Sequence, residues 1–179
     1  MKVLGAAVLG LAFVTTAGAQ VLTLGAAGTI TNEINPESRP GQTTLSNNTI
    51  TPSLFVGFPV LNDTMVLLRA IDLPHEQVVG TSVVDSRLRG VTIGVDYLML
   101  SVFGRTVFSG GIGGYKLDLE GSSPPPGVET WDFGWYVGVG EWFPMTKSSQ
   151  LTLELDYHNT SHPGKPQILS LSVGLAFTF

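Results

Sequence analysis

The stretch Leu169–Phe179 reads LSLSVGLAFTF. Leu169, Leu171, Val173, Leu175, Phe177 and Phe179 alternate with Ser170, Ser172, Gly174, Ala176 and Thr178. A strict period of two is the signature of a β-strand with one apolar face. The opposite face constrains the fold further, because it carries only small residues. A sheet turning that face to water would ordinarily place long charged side chains there. Small and weakly polar groups suit the inside of a narrow closed barrel, where space is limited.

The same rhythm recurs along the chain. Segments 21–30, 53–60, 64–72, 90–97, 104–119, 131–143 and 150–157 each read as strands, with the last at 169–179. In 90–97, Val91, Ile93, Val95 and Tyr97 oppose Thr92, Gly94 and Asp96. In 150–157, Leu151, Leu153, Leu155 and Tyr157 oppose Thr152, Glu154 and Asp156. Segment 64–72 is apolar on both sides. Placing Val66, Leu68 and Ala70 outward turns Arg69 inward. The facing of 104–119 stays open, because it is glycine-rich. The connections alternate in length. Long polar ones are expected near 31–50, 73–86, 120–130 and 158–167, and short ones near 59–63, 98–103 and 144–149.

Residues 1–19 differ from the rest. A basic start (MK), the apolar run VLGAAVLGLAFV and the small residues TTAGA before Gln20 predict a secretory signal peptide. The run is too short to span a bilayer as a helix. Residues 20–179 are then one exported domain. The absence of cysteine excludes a disulfide scaffold. A net charge of −5 disfavours a nucleic-acid partner, since phosphates need a basic patch.

Three features set a membrane barrel above a soluble sandwich. Only 13% of residues are charged, about half the usual share. The charges that do occur in strands, Asp96, Glu154 and Asp156, lie opposite the apolar face, where Arg69 or Arg105 could pair with them inside a barrel. Aromatic residues collect at strand ends: Trp131, Phe133 and Trp135 at one end of the sixth strand, Trp142 and Phe143 at the other. Such girdles mark lipid–water boundaries in transmembrane barrels. In lipid, unpaired backbone groups are so costly that strands can cross only as a closed ring. The expected fold is therefore all-β, an eight-stranded antiparallel up-and-down transmembrane β-barrel. Eight strands leave an interior that side chains can fill, so little conductance to large solutes is expected.

With its leader, eight alternating strands and a terminal strand ending in Phe179, the chain resembles the small outer-membrane β-barrels of the OmpA-like, opacity-type group. The phrases GVDY and LELDYH also look like strand phrases of that group. The resemblance implies an outer-membrane location, contact with membrane lipid and lipopolysaccharide, and a non-enzymatic structural or surface-binding role carried by four extracellular loops. It also implies recognition of Leu171, Val173, Leu175, Phe177 and Phe179 by the barrel-assembly machinery. A monomer without cofactor or metal is expected, and the extracellular ligand is not specified.

Two chemical readings compete. Asp156, His158 and His162 could be imagined as metal ligands, but no helix spaces them rigidly, and solvated loop histidines fit better. Lipid A deacylases, also eight-stranded barrels, carry a His-x-Ser-Asn motif. Here the matching stretch is HNTS, with Thr160 at the serine position and Ser161 at the asparagine position. His158 as base, with Thr160 or Ser161 as nucleophile, is the enzymatic alternative. An exported soluble β-barrel or sandwich is the third.

Overall fold

A computed structural model describes residues 22–34, 50–79, 82–119, 131–161 and 167–179. The expected signal peptide and most of the long connections lie outside these residues. Eight antiparallel strands close into one barrel in sequence order: β1 (Thr23–Glu33), β2 (Thr51–Leu61), β3 (Thr64–Val79), β4 (Ser82–Leu100), β5 (Arg105–Leu119), β6 (Trp131–Pro144), β7 (Ser149–Thr160) and β8 (Gln167–Thr178). Closure is made by β1 against β8, from Thr23↔Thr178 to Glu33↔Ile168. Every strand thereby has a hydrogen-bonded neighbour on both sides, which closes the ring.

Alternation places the side chains. On β8, Leu171, Val173, Leu175 and Phe177 are exposed outward, while Ile168, Ser170 and Ala176 are buried inside. On β3, Leu68 points out and Met65, Leu67 and Arg69 point in. The open question on β5 is settled by Val107, Ser109, Tyr115 and Leu117, all buried inside, with Phe108 and Ile112 exposed. The outward surface is a continuous apolar band. On β4 it runs from Val91 through Ile93, Val95 and Tyr97 to Met99. At about 3.3 Å per residue and a tilt of about 40°, that run rises about 20 Å.

The short connections lie together at one end of the barrel, at 62–63, 101–104 and 145–148. They are held by side-chain turns: Ser101 Oγ accepts from the Gly104 amide at 3.0 Å, and Thr146 Oγ1 accepts from the Ser149 amide at 3.0 Å. At the other end, one expectation needs correction. The polar segment 73–86 is not a long loop. β3 continues to Val79 and β4 starts at Ser82, with an unbroken ladder from Leu73↔Leu88 to Val79↔Ser82. Polar side chains do not end a strand when its backbone partner continues alongside. The paired valines at 78–79 and 83–84 favour extended backbone. A two-residue connection, 80–81, joins the strands.

β2 begins only at Thr51, so β1 rises above it toward β3. There, Thr31 Oγ1 donates to the Pro74 carbonyl and Thr51 Oγ1 to the Asp72 carbonyl. These bonds tie the wall together where the β1–β2 ladder has ended.

Candidate functional site

The barrel interior is filled in layers. Nearest the short turns, Phe55, Met65, Leu67, Leu98, Val107, Trp142 and Ala176 form one apolar cluster. Toward the opposite end, Leu73, Leu88, Tyr115, Leu117 and Ile168 form a second, with Ile71 against it. Between them lies a layer of buried charge.

Arg69 is the centre of that layer. Its Nη2 donates to both oxygens of Asp96, at 3.2 and 3.1 Å. Its Nη1 donates to Glu154 at 2.8 Å and to Asp156 at 3.4 Å. All four side chains are almost wholly shielded, and Asp96 is completely so. The Arg69 guanidinium also lies over the Tyr136 ring, 5.3 Å from its centroid, a cation–π contact strengthened by desolvation. Remaining acceptors are met by neighbours: Trp142 Nε1–H donates to Glu154 at 2.9 Å and Ser109 Oγ–H to Asp156 at 3.4 Å. Charges in so dry a place persist only when paired and hydrogen-bonded. The four polar residues expected inside, Arg69, Asp96, Glu154 and Asp156, thus meet at one point.

The sequence dictates this crowding through glycine. A Cβ at Gly94 would collide with the Tyr136 hydroxyl, and one at Gly138 with the Asp156 carboxylate. Only a bare backbone leaves room for a tyrosine and an ion network in an eight-stranded ring. A cavity of about 20 Å³, bounded by Arg69, Glu154, Asp156, His158 and Ser170, has room for about one water.

Two sequence placements are corrected here. His158 is not a solvated loop residue, because β7 runs on to Thr160 and keeps its phase. His158 therefore points inward with Glu154 and Asp156 and is buried. Its Nδ1 lies 3.2 Å from the Tyr115 hydroxyl, and its Nε2 lies 3.2 Å from Ser170 Oγ. Ser170 Oγ–H donates to the Asp156 carbonyl, so Nε2–H donates to Ser170 and Nδ1 accepts from Tyr115. Both ring nitrogens are thus engaged away from Thr160 and Ser161. Thr160 is buried too, and Ser161 Oγ–H donates to the Phe133 carbonyl at 2.8 Å. The nucleophile and base of the deacylase alternative are not brought together. His162 lies outside the described residues, and no cluster of metal-ligating side chains occurs among the described ones.

The second correction is Trp142. It was expected in an outward girdle, yet it is 2% exposed and packs inside, 5.9 Å from the Phe55 ring. Trp131, Phe133 and Trp135 are outward and exposed, and Phe143 is outward by phase and half-buried. Parity explains the difference. Trp131, Phe133 and Trp135 share odd positions, whereas Trp142 shares the inward phase of Tyr136. The same parity would have revealed His158 beside Asp156. Phe108, outward on β5, and Phe103, exposed in a short turn, are aromatics that sequence reasoning passed over.

Comparison with known proteins supports the architecture. No protein-family model matches the chain, and no curated protein matches it in sequence. Solved structures do. Neisserial surface protein A is 12% identical, with a TM-score of 0.63 over 88% of this chain and 97% of that one. Ail, the attachment invasion locus protein of Yersinia pestis, is 13% identical, with a TM-score of 0.56 over 90% and 100%. The N-terminal β-barrel domain of Pseudomonas aeruginosa OprF is 12% identical, with a TM-score of 0.57 over 90% and 100%. At these identities the likeness is one of fold: the chain has the closed eight-stranded barrel of small outer-membrane proteins.

Proposed function

We propose that this chain is an outer-membrane barrel that works without catalysis, in a structural or surface-binding role. The β3–β4 hairpin and the sequence stretches joining β1 to β2, β5 to β6 and β7 to β8 carry that role. One observation carries the reading. A closed ring of strands presents a continuous apolar outer face, while the charges at the level of that band, Arg69, Asp96, Glu154 and Asp156, are turned inside and paired. In water that arrangement exposes a large apolar surface and buries charge at a cost. In a bilayer both features are required.

Lipid, including lipopolysaccharide, surrounds the band in this reading. The β8 residues Leu169, Leu171, Val173, Leu175 and Phe177, with Phe179, face it and serve as the assembly signal. Trp131, Phe133, Trp135 and Phe143 sit at its boundaries. Residues 1–19 direct export and are removed, and the barrel is a monomer. The filled interior admits no large solute.

The native chain has no cysteine, so single cysteines report topology cleanly. Gly80→Cys, in the sequence between β3 and β4, is expected to react with a membrane-impermeant maleimide on intact cells. Thr146→Cys, in a short turn, is expected to react only after permeabilisation. Labelling of both in intact cells, or recovery of the chain as a soluble protein, would overturn the proposal.

A further inference from the structure

Arg105 does not join the ion layer. It opens β5 at the inward phase of Val107 and Ser109. Its register partners, Leu100 and Trp142, place it at the end of the short turns. Its side chain therefore stands at the mouth of the bore and is exposed. There it borders a cavity of about 50 Å³, with room for about four waters. Met65, Leu98 and Trp142, all buried, form an apolar floor. Asn62 and Gln150 add two amides to the lining.

The polar groups of this mouth are idle, unlike those of the layer above. Among the described residues, the side chains of Arg105, Asn62 and Gln150 enter no hydrogen bond or ion pair, and the Gln150 amide oxygen is buried without a partner. Thr23 and Thr178, also on the lining, bond each other at 3.2 Å. The side-chain carboxylates at this end keep away from the cavity. Glu141 is turned outward and accepts from Ser101 and, at 2.8 Å, from Thr106. Asp63 lies in the β2–β3 turn, outside the lining. The cavity thus carries one cation with no opposite charge on its walls. The Trp142 N–H is committed to Glu154, so the floor offers ring surface alone.

We propose that this mouth binds an N-acylated α-amino acid carboxylate with a short apolar side chain, the chemistry of a peptide's carboxyl terminus. Three features of the cavity match three parts of that ligand. The carboxylate accepts paired, charge-assisted hydrogen bonds from the Arg105 guanidinium. The amide N–H donates to Gln150, whose amide can turn into the cavity without breaking a bond. The side chain rests on Met65, Leu98 and Trp142. A bare anion would leave the floor empty, and an uncharged apolar molecule would leave Arg105 without an acceptor. That this mouth opens on the periplasm rests on the membrane reading above.

The full chain in phosphatidylcholine nanodiscs, which leave both ends of a barrel accessible, is titrated with N-acetylvaline. The Met65 methyl and Trp142 indole N–H resonances are followed by NMR. Both are expected to shift saturably, while the indoles of the outward Trp131 and Trp135 stay in place. Arg105→Gln is expected to weaken binding about tenfold, the loss of one charge-assisted hydrogen bond. N-acetylvaline amide, which lacks the charge, is expected to bind wild type as weakly, and it decides the proposal if Arg105→Gln misfolds. Lys147→Gln, a turn cation outside the lining, is expected to change nothing. Acetyl-Gly-Gly-Val separates the two sources of this chemistry: tighter binding than N-acetylvaline supports a peptide end, and equal binding supports a single acylated amino acid. No saturable shift, equal binding of acid and amide, or equal binding by wild type and Arg105→Gln would overturn the site. So would displacement by an equal concentration of acetate, which would reduce it to a bare anion site. Failure to enter nanodiscs would instead overturn the membrane reading, and the same titration of the soluble chain would still decide the cavity.

Discussion

Replacing Arg69 by methionine keeps an unbranched stem and removes the guanidinium with its charge. Three carboxylates then lose their shared cation. Asp96 loses it at 3.1 Å, Glu154 at 2.8 Å and Asp156 at 3.4 Å. Glu154 keeps the Trp142 indole, and Asp156 keeps the Ser109 hydroxyl. Among the described residues Asp96 accepts from Arg69 alone, and it is wholly buried. An ion pair with charge centres about 4 Å apart is worth about 4 kcal/mol at an effective dielectric constant of about 20. Part of the loss is recovered, because burying the arginine itself was costly. The net expectation is a destabilisation of about 3–5 kcal/mol, the usual result of removing one partner from a buried pair. Adding Asp96→Asn should recover about half, since the variant then holds one fewer orphaned charge. The assay is urea unfolding in phosphatidylcholine vesicles, followed by the fraction of protein that migrates as the folded form on an unheated gel. A loss under about 1 kcal/mol for Arg69→Met, or strict additivity with Asp96→Asn, would refute the view that Arg69 holds the three carboxylates inside.

Three further outcomes follow from the geometry. Val173→Arg places a charge in the middle of the outward band and should cost about 2–4 kcal/mol in the same unfolding assay; a silent substitution would mean that the outer face does not meet lipid. Trp142→Phe keeps the ring packing against Phe55 but removes the donor to Glu154, and should cost about 1–3 kcal/mol, with the loss shrinking in a Glu154→Gln background. In planar bilayers the chain should give no porin-sized channel, because Arg69, Tyr136, Trp142 and the two apolar clusters fill the bore; large, steady conductance would show that the interior opens.

The β-barrel was legible because its signal is periodic. On β8 and β4 the phase alone separates outside from inside, whereas β3 is apolar on both faces and its facing followed from turning Arg69 inward. The ion network was legible only as a possibility. Phase says that Asp96, Glu154 and Asp156 share a side with Arg69, but the meeting of β3, β4 and β7 at one level depends on the stagger of the ladders. Two errors came from chemical habit overriding phase. A tryptophan near a strand end suggests a membrane boundary, yet Trp142 follows the parity of Tyr136 and packs inward. A histidine near a polar stretch suggests a loop, yet His158 is the next inward position after Asp156. The β3–β4 hairpin was hidden for another reason: beyond the apolar band both faces of a strand can be polar, and alternation vanishes although the ladder continues.

The account stands or falls on whether the chain is a closed barrel in a membrane. The most direct measurement compares boiled and unboiled samples of the outer-membrane fraction on a denaturing gel, after expression of the full chain. A closed transmembrane barrel should resist the detergent until heated, so the unboiled protein should migrate apart from the boiled one and be found only in the membrane fraction. A detergent-free soluble protein with one mobility, boiled or not, would contradict the account and assign the apolar face of β8 to the core of a water-soluble sheet.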